Sequence, residues 1–283
     1  MYQERKFNNY LTFDTRHLTQ YNMEYAHLSE TVSIKTVSED AKTGVFEIEG
    51  LYAGYGMTIG NALRRTLLSS LPGAAITYLK IKNAPHEFST LPGVKEDLVE
   101  LILNFKKLRF RMHTDEPQIL ILKAKGEEIL TAGDIKASTL AEIINSKEIL
   151  ATLTSKNAEL DMEITVERGL GYSPAEDRGD KKLTVGLIAV DAFFSPVRKV
   201  NYGVENMRVG ERTDYSRLRL EIETDGTVSP SSALHKSANI LNDHFLKVGA
   251  VSVQEFEIAT AKTSKTGKKE NEASKKRGRS KKN

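Results

Sequence analysis

The sequence contains no cysteine. A disulfide framework, a thiolate zinc site and a cysteine nucleophile are therefore excluded, and a reducing compartment is compatible. Also missing is any apolar run of about 18 or more residues, the length needed to span a bilayer. The opening residues, MYQERKFNNYLTFD, carry charge and have no apolar stretch of signal-peptide length, so export is not expected. The histidines, His17, His27, His86, His113, His235 and His244, form no H-x-x-x-H pair, and neither H-E-x-x-H nor G-x-x-x-x-G-K-[ST] occurs. Asp and Glu are plentiful but scattered over faces where solvated charge is the default. A catalytic centre needs a constellation of such groups. The expectation is a chain with no active site, cofactor or metal of its own.

What is present is a chain of 283 residues, 39% hydrophobic and 28% charged, with the composition of an ordinary globular protein and length enough for two cores. Its net charge of +3 hides an asymmetry. Residues 262–283 hold eight Lys and two Arg against two Glu, a net of +8. Residues 1–261 are left with 31 basic and 36 acidic side chains, a net of −5. Any affinity for nucleic acid read from pI therefore belongs to the tail, through Lys268, Lys269, Lys275, Lys276, Arg277 and Arg279. That segment has almost no apolar residue, and residues 256–283 are expected to be a disordered basic tail.

Along the rest of the chain, residues 31–52 read as two strands, TVSIKTV and FEIEGLY, turning at Lys42-Thr43-Gly44. A helix is expected from Thr58 as N-cap to the stop at Pro72-Gly73. ITYLKIK (76–82) alternates as a half-buried strand does. Val94, Leu98, Leu101, Ile102 and Phe105 then share one helical face. LRFRMH, QILILKAK and ELDMEITVER are strand candidates, with an ambiguous stretch of loop and short helical pieces between the last two. LTVGLIAV (183–190) and RLRLEIET (217–224) are further strands, the latter with Leu218, Leu220 and Ile222 on one side. Ser229-Pro230 has the form of an N-cap followed by proline at the first helical position, and the helix it opens runs to about Val248, with Gly249 able to end it. No internal repeat is present.

Two of these helices carry the functional signal. In the first, Ile59, Leu63, Leu67 and Leu71 form an apolar row widened by Ala62, and Asn61, Arg65 and Ser69 form a polar row nearly opposite, with Arg64 and Leu68 between. Arginines without an acidic partner at i±4, on a body that is net acidic, suit a protein interface, because guanidinium pairs with carboxylates or backbone carbonyls. The glycines ahead of this helix, Gly54, Gly56 and Gly60, allow a second reading: a stand-alone dinucleotide-binding enzyme with pyrophosphate at the helix N-terminus. Against it stand the G-x-G-x-x-x-G spacing, the absence of an acidic residue after the next strand, and the strand-dominated sequence that follows. Gly169-Leu170-Gly171 is a phosphate loop only superficially. In the last helix, Leu234, Leu241 and Val248 are spaced by seven with Ala238 and Phe245 interleaved, a narrow seam that fits a helix packing on its symmetry mate as well as one packing on its own core.

GNALRRTLLSSLPG (60–73) resembles the signature helix of bacterial RNA polymerase alpha subunits. HEFSTLPGVKEDLVELILNFK (86–106), ERGLGYSPA (167–175), VDAFFSPVRKVNYGVENMRVGERTDYSRL (190–218) and LEIETDGTVSPSSAL (220–234) resemble that family in the same order. The resemblance implies an α+β protein of two domains: a dimerisation domain from residues 1–72 and 196–255, and a strand-rich domain inserted at 73–195. It implies a scaffold that homodimerises and recruits the beta and beta-prime subunits, with omega and sigma in the complex and DNA reached through the holoenzyme. Magnesium is expected in the catalytic subunit, and the location is the bacterial cytoplasm or, less in keeping with the N-terminus, a plastid. It assigns large-subunit contact to Arg65, and Asn61, Arg64, Ser69, His86, Glu87 and Phe88 are expected beside it. It places a dimerisation helix at Leu234, Ala238, Leu241, Phe245 and Val248. The family usually continues into a small helical domain that grips promoter DNA and activators, whereas this sequence stops after its basic tail. Activator response through that domain is not expected.

Overall fold

A computed structural model describes residues 29–84, 86–136, 138–178 and 186–251. In chain order its strands are β1 (Ser33–Glu39), β2 (Thr43–Leu51), β3 (Pro72–Ile81), β4 (Phe110–Met112), β5 (Gln118–Lys125), β6 (Ile129–Thr131), β7 (Ala141–Ile143), β8 (Ile149–Thr152), β9 (Glu159–Leu170), β10 (Tyr172–Ser173), β11 (Leu187–Ala189), β12 (Ala192–Phe193), β13 (Val197–Val209) and β14 (Arg212–Thr224). The helices are α1 (Tyr55–Ser69), α2 (Leu98–Lys106) and α3 (Pro230–Gly249). The fold is mixed α+β and strand-rich, as the sequence leads one to expect.

One antiparallel sheet has the order β1-β2-β14-β13. Phe46 and Ile48 of β2 and Leu218, Leu220 and Ile222 of β14 point to its inner face, where they meet Leu63 and Leu67 of α1 and Ala233 of α3. The alternation seen in RLRLEIET is the cause: Arg219, Glu221 and Glu223 fall on the opposite, solvated face. A second, six-stranded sheet runs β5-β9-β3-β4-β7, with β11 also on β3. Its core holds Leu120, Leu122, Leu160, Met162 and Ile164 packed with Leu98, Leu101 and Phe105 of α2. The two apolar clusters share no residue. The chain passes between them at Leu71-Pro72-Gly73 and again near Ser195-Pro196.

Several local expectations need correction. Helix α1 begins at Tyr55, three residues before Thr58, and its N-cap is Gly54 in the left-handed region (φ 86°). The Thr58 hydroxyl is left to donate to the Gly54 carbonyl. The helix ends at Ser69, just ahead of Pro72-Gly73, and those two residues open β3. Thr43 and Gly44 are likewise in β2, and the reversal lies at 40–42, where Asp40 N–H donates to Thr43 O at 2.7 Å. Val94 is outside α2, which starts behind Asp97 as N-cap, and pairs instead with Leu153. The ambiguous stretch contains β6, β7, β8 and a 3₁₀ turn at Ala132–Asp134. β13 is a strand of 13 residues with no clear alternation in the sequence. Residues 183–185 of LTVGLIAV and the whole 256–283 tail lie outside the described residues.

Candidate functional site

Helix α1 is seated by its glycines. A methyl group on Gly56 would meet Val204 Cγ1 at 2.7 Å, and one on Gly60 would meet the Tyr202 ring at 2.7 Å and Leu218 Cδ1 at 2.9 Å. The two glycines lie one turn apart, so the helix axis can approach the β13–β14 hairpin more closely than any side chain would allow. Leu63, Thr66 and Leu67 complete the buried face, and the Thr66 hydroxyl is satisfied by Ala62 O at 2.9 Å. With its glycines turned into the sheet and every strand pairing around it antiparallel, α1 does not have the form of a dinucleotide cradle, and that alternative finds no support.

Seating that face fixes the other. Asn61, Arg64, Arg65 and Ser69 are all exposed. Neither Arg64 nor Arg65 has an ion pair among the described residues; the Ser69 hydroxyl donates to Arg65 O at 2.8 Å. Met57, exposed and four residues before Asn61, extends the row to 57–61–65–69. An apolar residue at a helix start gives no sequence signal that it lies on the polar side.

His86, Glu87 and Phe88 are exposed on the loop after β3, and Phe88, at 76%, is the most exposed large apolar residue described. His86 Nδ1 lies 3.1 Å from Ser89 Oγ and its carbonyl accepts from Ser89 N–H, so the loop is closed locally. Its far end is fastened to the core: Leu91 is buried, and Gly93 takes a positive φ where a Cβ would strike Ser155 and Ala158. Thr154 N–H donates to Gly93 O at 2.8 Å, and Glu96 accepts from Thr152 N–H at 2.8 Å. No hydrogen bond or ion pair joins this loop to α1 among the described residues. The two groups of candidate residues thus sit on different sheets.

In α3, Ser229 caps the first turn, accepting from Ser232 N–H at 3.3 Å, and Glu39 accepts from Ser231 N–H at 2.9 Å. Ala233 and Ser237 are fully buried, and Leu234, Ile240 and Leu241 pack partly against the same core. Ala238 is exposed, as are Phe245 at 66% and Val248 at 69%. The proposed seam is therefore divided. Leu234 and Leu241 flank the face that docks on this chain's own sheet, and Phe245 and Val248 extend past it with Leu246, whose exposure the heptad spacing did not reveal. The six basic residues of the tail lie outside the described residues.

The match to the RNA polymerase Rpb3/RpoA insert domain covers residues 79–195, almost the span of the six-stranded sheet and its core. The DNA-directed RNA polymerase subunit alpha of Symbiobacterium thermophilum is 50% identical over 217 residues, 76% of this chain and 69% of that protein. The chain belongs to the DNA-directed RNA polymerase alpha subunit family. The alpha subunit of Moorella thermoacetica is 49% identical over 205 residues, 72% of this chain and 65% of the relative, and that of Alkaliphilus oremlandii is 47% identical over 213 residues. The chain therefore spans about two thirds of the length of these alpha subunits. These relatives are, by name, subunits of DNA-directed RNA polymerase. Among the described residues no helix is long and apolar enough to cross a membrane.

Proposed function

We propose that this chain is the assembly scaffold of a bacterial-type RNA polymerase, that it homodimerises, and that it recruits the beta and beta-prime subunits without contributing an active site. The observation that carries the reading is the state of Arg64 and Arg65: two exposed guanidiniums without ion pairs among the described residues, on a helix whose register is fixed by Gly56 and Gly60. A cation held on a rigid element and left unpaired is prepared for a partner's carboxylate or carbonyl. Asn61 and Ser69 add short hydrogen-bonding groups on the same row, and His86, Glu87 and Phe88 provide a second contact with an apolar anchor.

In this reading residues 1–72 and 196–255 form the dimerisation domain, and 73–195 form the inserted domain. Dimerisation uses the outer half of α3, where Phe245 and Val248 would otherwise face water. The chain holds no cofactor. Magnesium belongs to the catalytic subunit, omega and sigma join the finished complex, DNA is met through the holoenzyme or the basic tail, and the site of action is the cytoplasm. Affinity purification of the tagged chain from its own cells tests the proposal. Two large polypeptides should co-purify in fixed ratio, and recovery of the chain without them would contradict it.

A further inference from the structure

The two apolar clusters share no residue, so hydrophobic packing within either core does not fix how one lies against the other. Between them is a cleft of ≈ 290 Å³, lined by Phe110, Arg111 and Arg168 from one side and Thr227, Ser229 and Lys236 from the other. The lining carries Arg111, Arg168, Ser229 and Lys236, and orientation across it must come from directional bonds or from the connecting chain. The chain itself crosses tightly: a Cβ on Gly73 would overlap the Phe194 carbonyl oxygen, and one on Gly169 would meet the Phe194 ring at 2.7 Å. These crossings sit together and define a pivot. A second attachment away from them is needed to stop rotation.

That attachment is present at residues 225–227, the turn between β14 and α3. Arg109, from the segment leading into β4, places Nε 3.7 Å from Asp225 Oδ2, and the Asp225 side chain is only 9% exposed. Arg111 of β4 donates from Nε and Nη2 to Thr227 O at 3.2 and 3.1 Å. The turn is rigid enough to receive them: Asp225 Oδ1 accepts from Thr227 N–H at 2.9 Å and from Thr227 Oγ1 at 2.6 Å, and Asp225 N–H donates to Pro196 O at 2.9 Å. The arginines are held too. Arg109 Nη1 donates to Lys106 O and Leu108 O, its backbone N–H donates to Asn145 Oδ1 at 2.8 Å, and Arg111 Nη1 pairs with Glu142 at 3.3 Å. Both guanidiniums are thus fixed on the core they come from and reach a turn that caps the helix of the other.

We infer that Arg109, Arg111, Asp225 and Thr227 form a polar latch that sets the orientation of the six-stranded sheet relative to the four-stranded sheet and the start of α3. The latch matters to function on the reading proposed above, since α1 and the 86–88 loop lie on the two sides of it and one assembly would have to meet both at a fixed spacing. Its existence does not depend on that reading.

The absence of cysteine makes a direct test clean. Lys156→Cys, on the exposed turn that leads into β9, and Asn206→Cys, on the exposed face of β13, place one spin label on each side of the latch, and excess unlabelled chain isolates the distance within one molecule. The intact latch should give one narrow distance distribution by double electron–electron resonance. Asp225→Ala should broaden it while far-ultraviolet circular dichroism stays unchanged. Arg111→Ala, which removes only the outer bonds to Thr227 O, should broaden it less and guards against a folding defect in the first variant. Arg217→Ala, which breaks an ion pair inside a single sheet, should leave it narrow. A distribution unchanged in both latch variants, or one broadened equally by Arg217→Ala, overturns the inference. No large subunit is present in this measurement, so a failure of the scaffold reading leaves the result intact.

Discussion

Gly56 and Gly60 lie one turn apart on α1, and a methyl group on either would run into the hairpin beneath. For Gly60→Ala the obstacles are the Tyr202 ring and Leu218, both part of the packed core, so relief requires the helix to lift. Overpacking of this kind costs about 1–3 kcal/mol, and urea unfolding should show a lowered midpoint. Gly203 is the opposite case. It sits in β13 with nothing within 4 Å of a built Cβ and with no positive φ to protect. Gly203→Thr should raise stability by about 0.5–1 kcal/mol, through the smaller entropy of the unfolded chain and better strand propensity. The same midpoint measurement separates the two, one shift in each direction. The sequence made the glycines conspicuous without saying which way they faced. A glycine carries no hydrophobicity, so periodicity counts it as neither core nor surface, and its role emerged only once Val204, Ser216, Tyr202 and Leu218 were in place.

At the scale of elements, α3 is half a core helix. Through Ala233 and Ser237 it docks on its own sheet, and beyond Leu241 its apolar residues have no described partner in the same core. Leu241→Glu therefore acts on folding and association together, because Leu241 packs partly on the core. Phe245→Glu is the cleaner variant: sedimentation at micromolar concentration should give a monomer with unchanged circular dichroism, and a persistent dimer would remove α3 from the interface. Ser229-Pro230 and Gly249 marked the bounds of this helix, and heptad spacing marked its apolar seam. It could not divide the seam, since a stripe of Leu, Ala and Phe reads alike whether it meets its own sheet or a second chain. β13 escaped notice for a related reason. Of its inward residues only Val197 and Val200 are buried, while Tyr202 and Val204 are partly covered and alternate with Gly203 and polar neighbours, which weakens the alternation that marks β14 so clearly.

The outer face of the four-stranded sheet adds a dependence on pH. Glu49 bridges Lys35 and Arg217, and its carboxyl is held below the usual range first by the hydrogen bond from Lys35, with the charges of Lys35 and Arg217 adding to it. Asp191 is held below its usual range chiefly by the Ala175 backbone N–H, and then by Lys106. A depressed carboxyl pKa contributes stability that is present above the unfolded value and is lost as pH falls through the folded one. Thermal stability should therefore fall on the acid side of the ordinary carboxylate range. Glu49→Gln should flatten that dependence, and an unaltered acid slope would show that the bridge is energetically silent.

Across the whole molecule the family was legible before the architecture was. Five motifs in register identified it, and relatives about half identical over three quarters of the chain agree. That two distant segments share one core could not be read from pattern, because the pairing of β2 with β14 is a contact between residues far apart in sequence. The charge asymmetry makes a separate prediction. If the +8 tail engages duplex phosphates, deleting residues 262–283 should reduce the slope of log K against log salt for promoter DNA by about 0.9 for each phosphate released, and an unchanged slope would leave the tail without that role. The central claim rests on α1. Arg65→Ala in the tagged chain, co-purified with the large subunits, should retain the homodimer and lose large-subunit recovery, since truncating an interface arginine of this kind costs about 2 kcal/mol or more. Full recovery of both large subunits by the Arg65→Ala dimer would contradict the account.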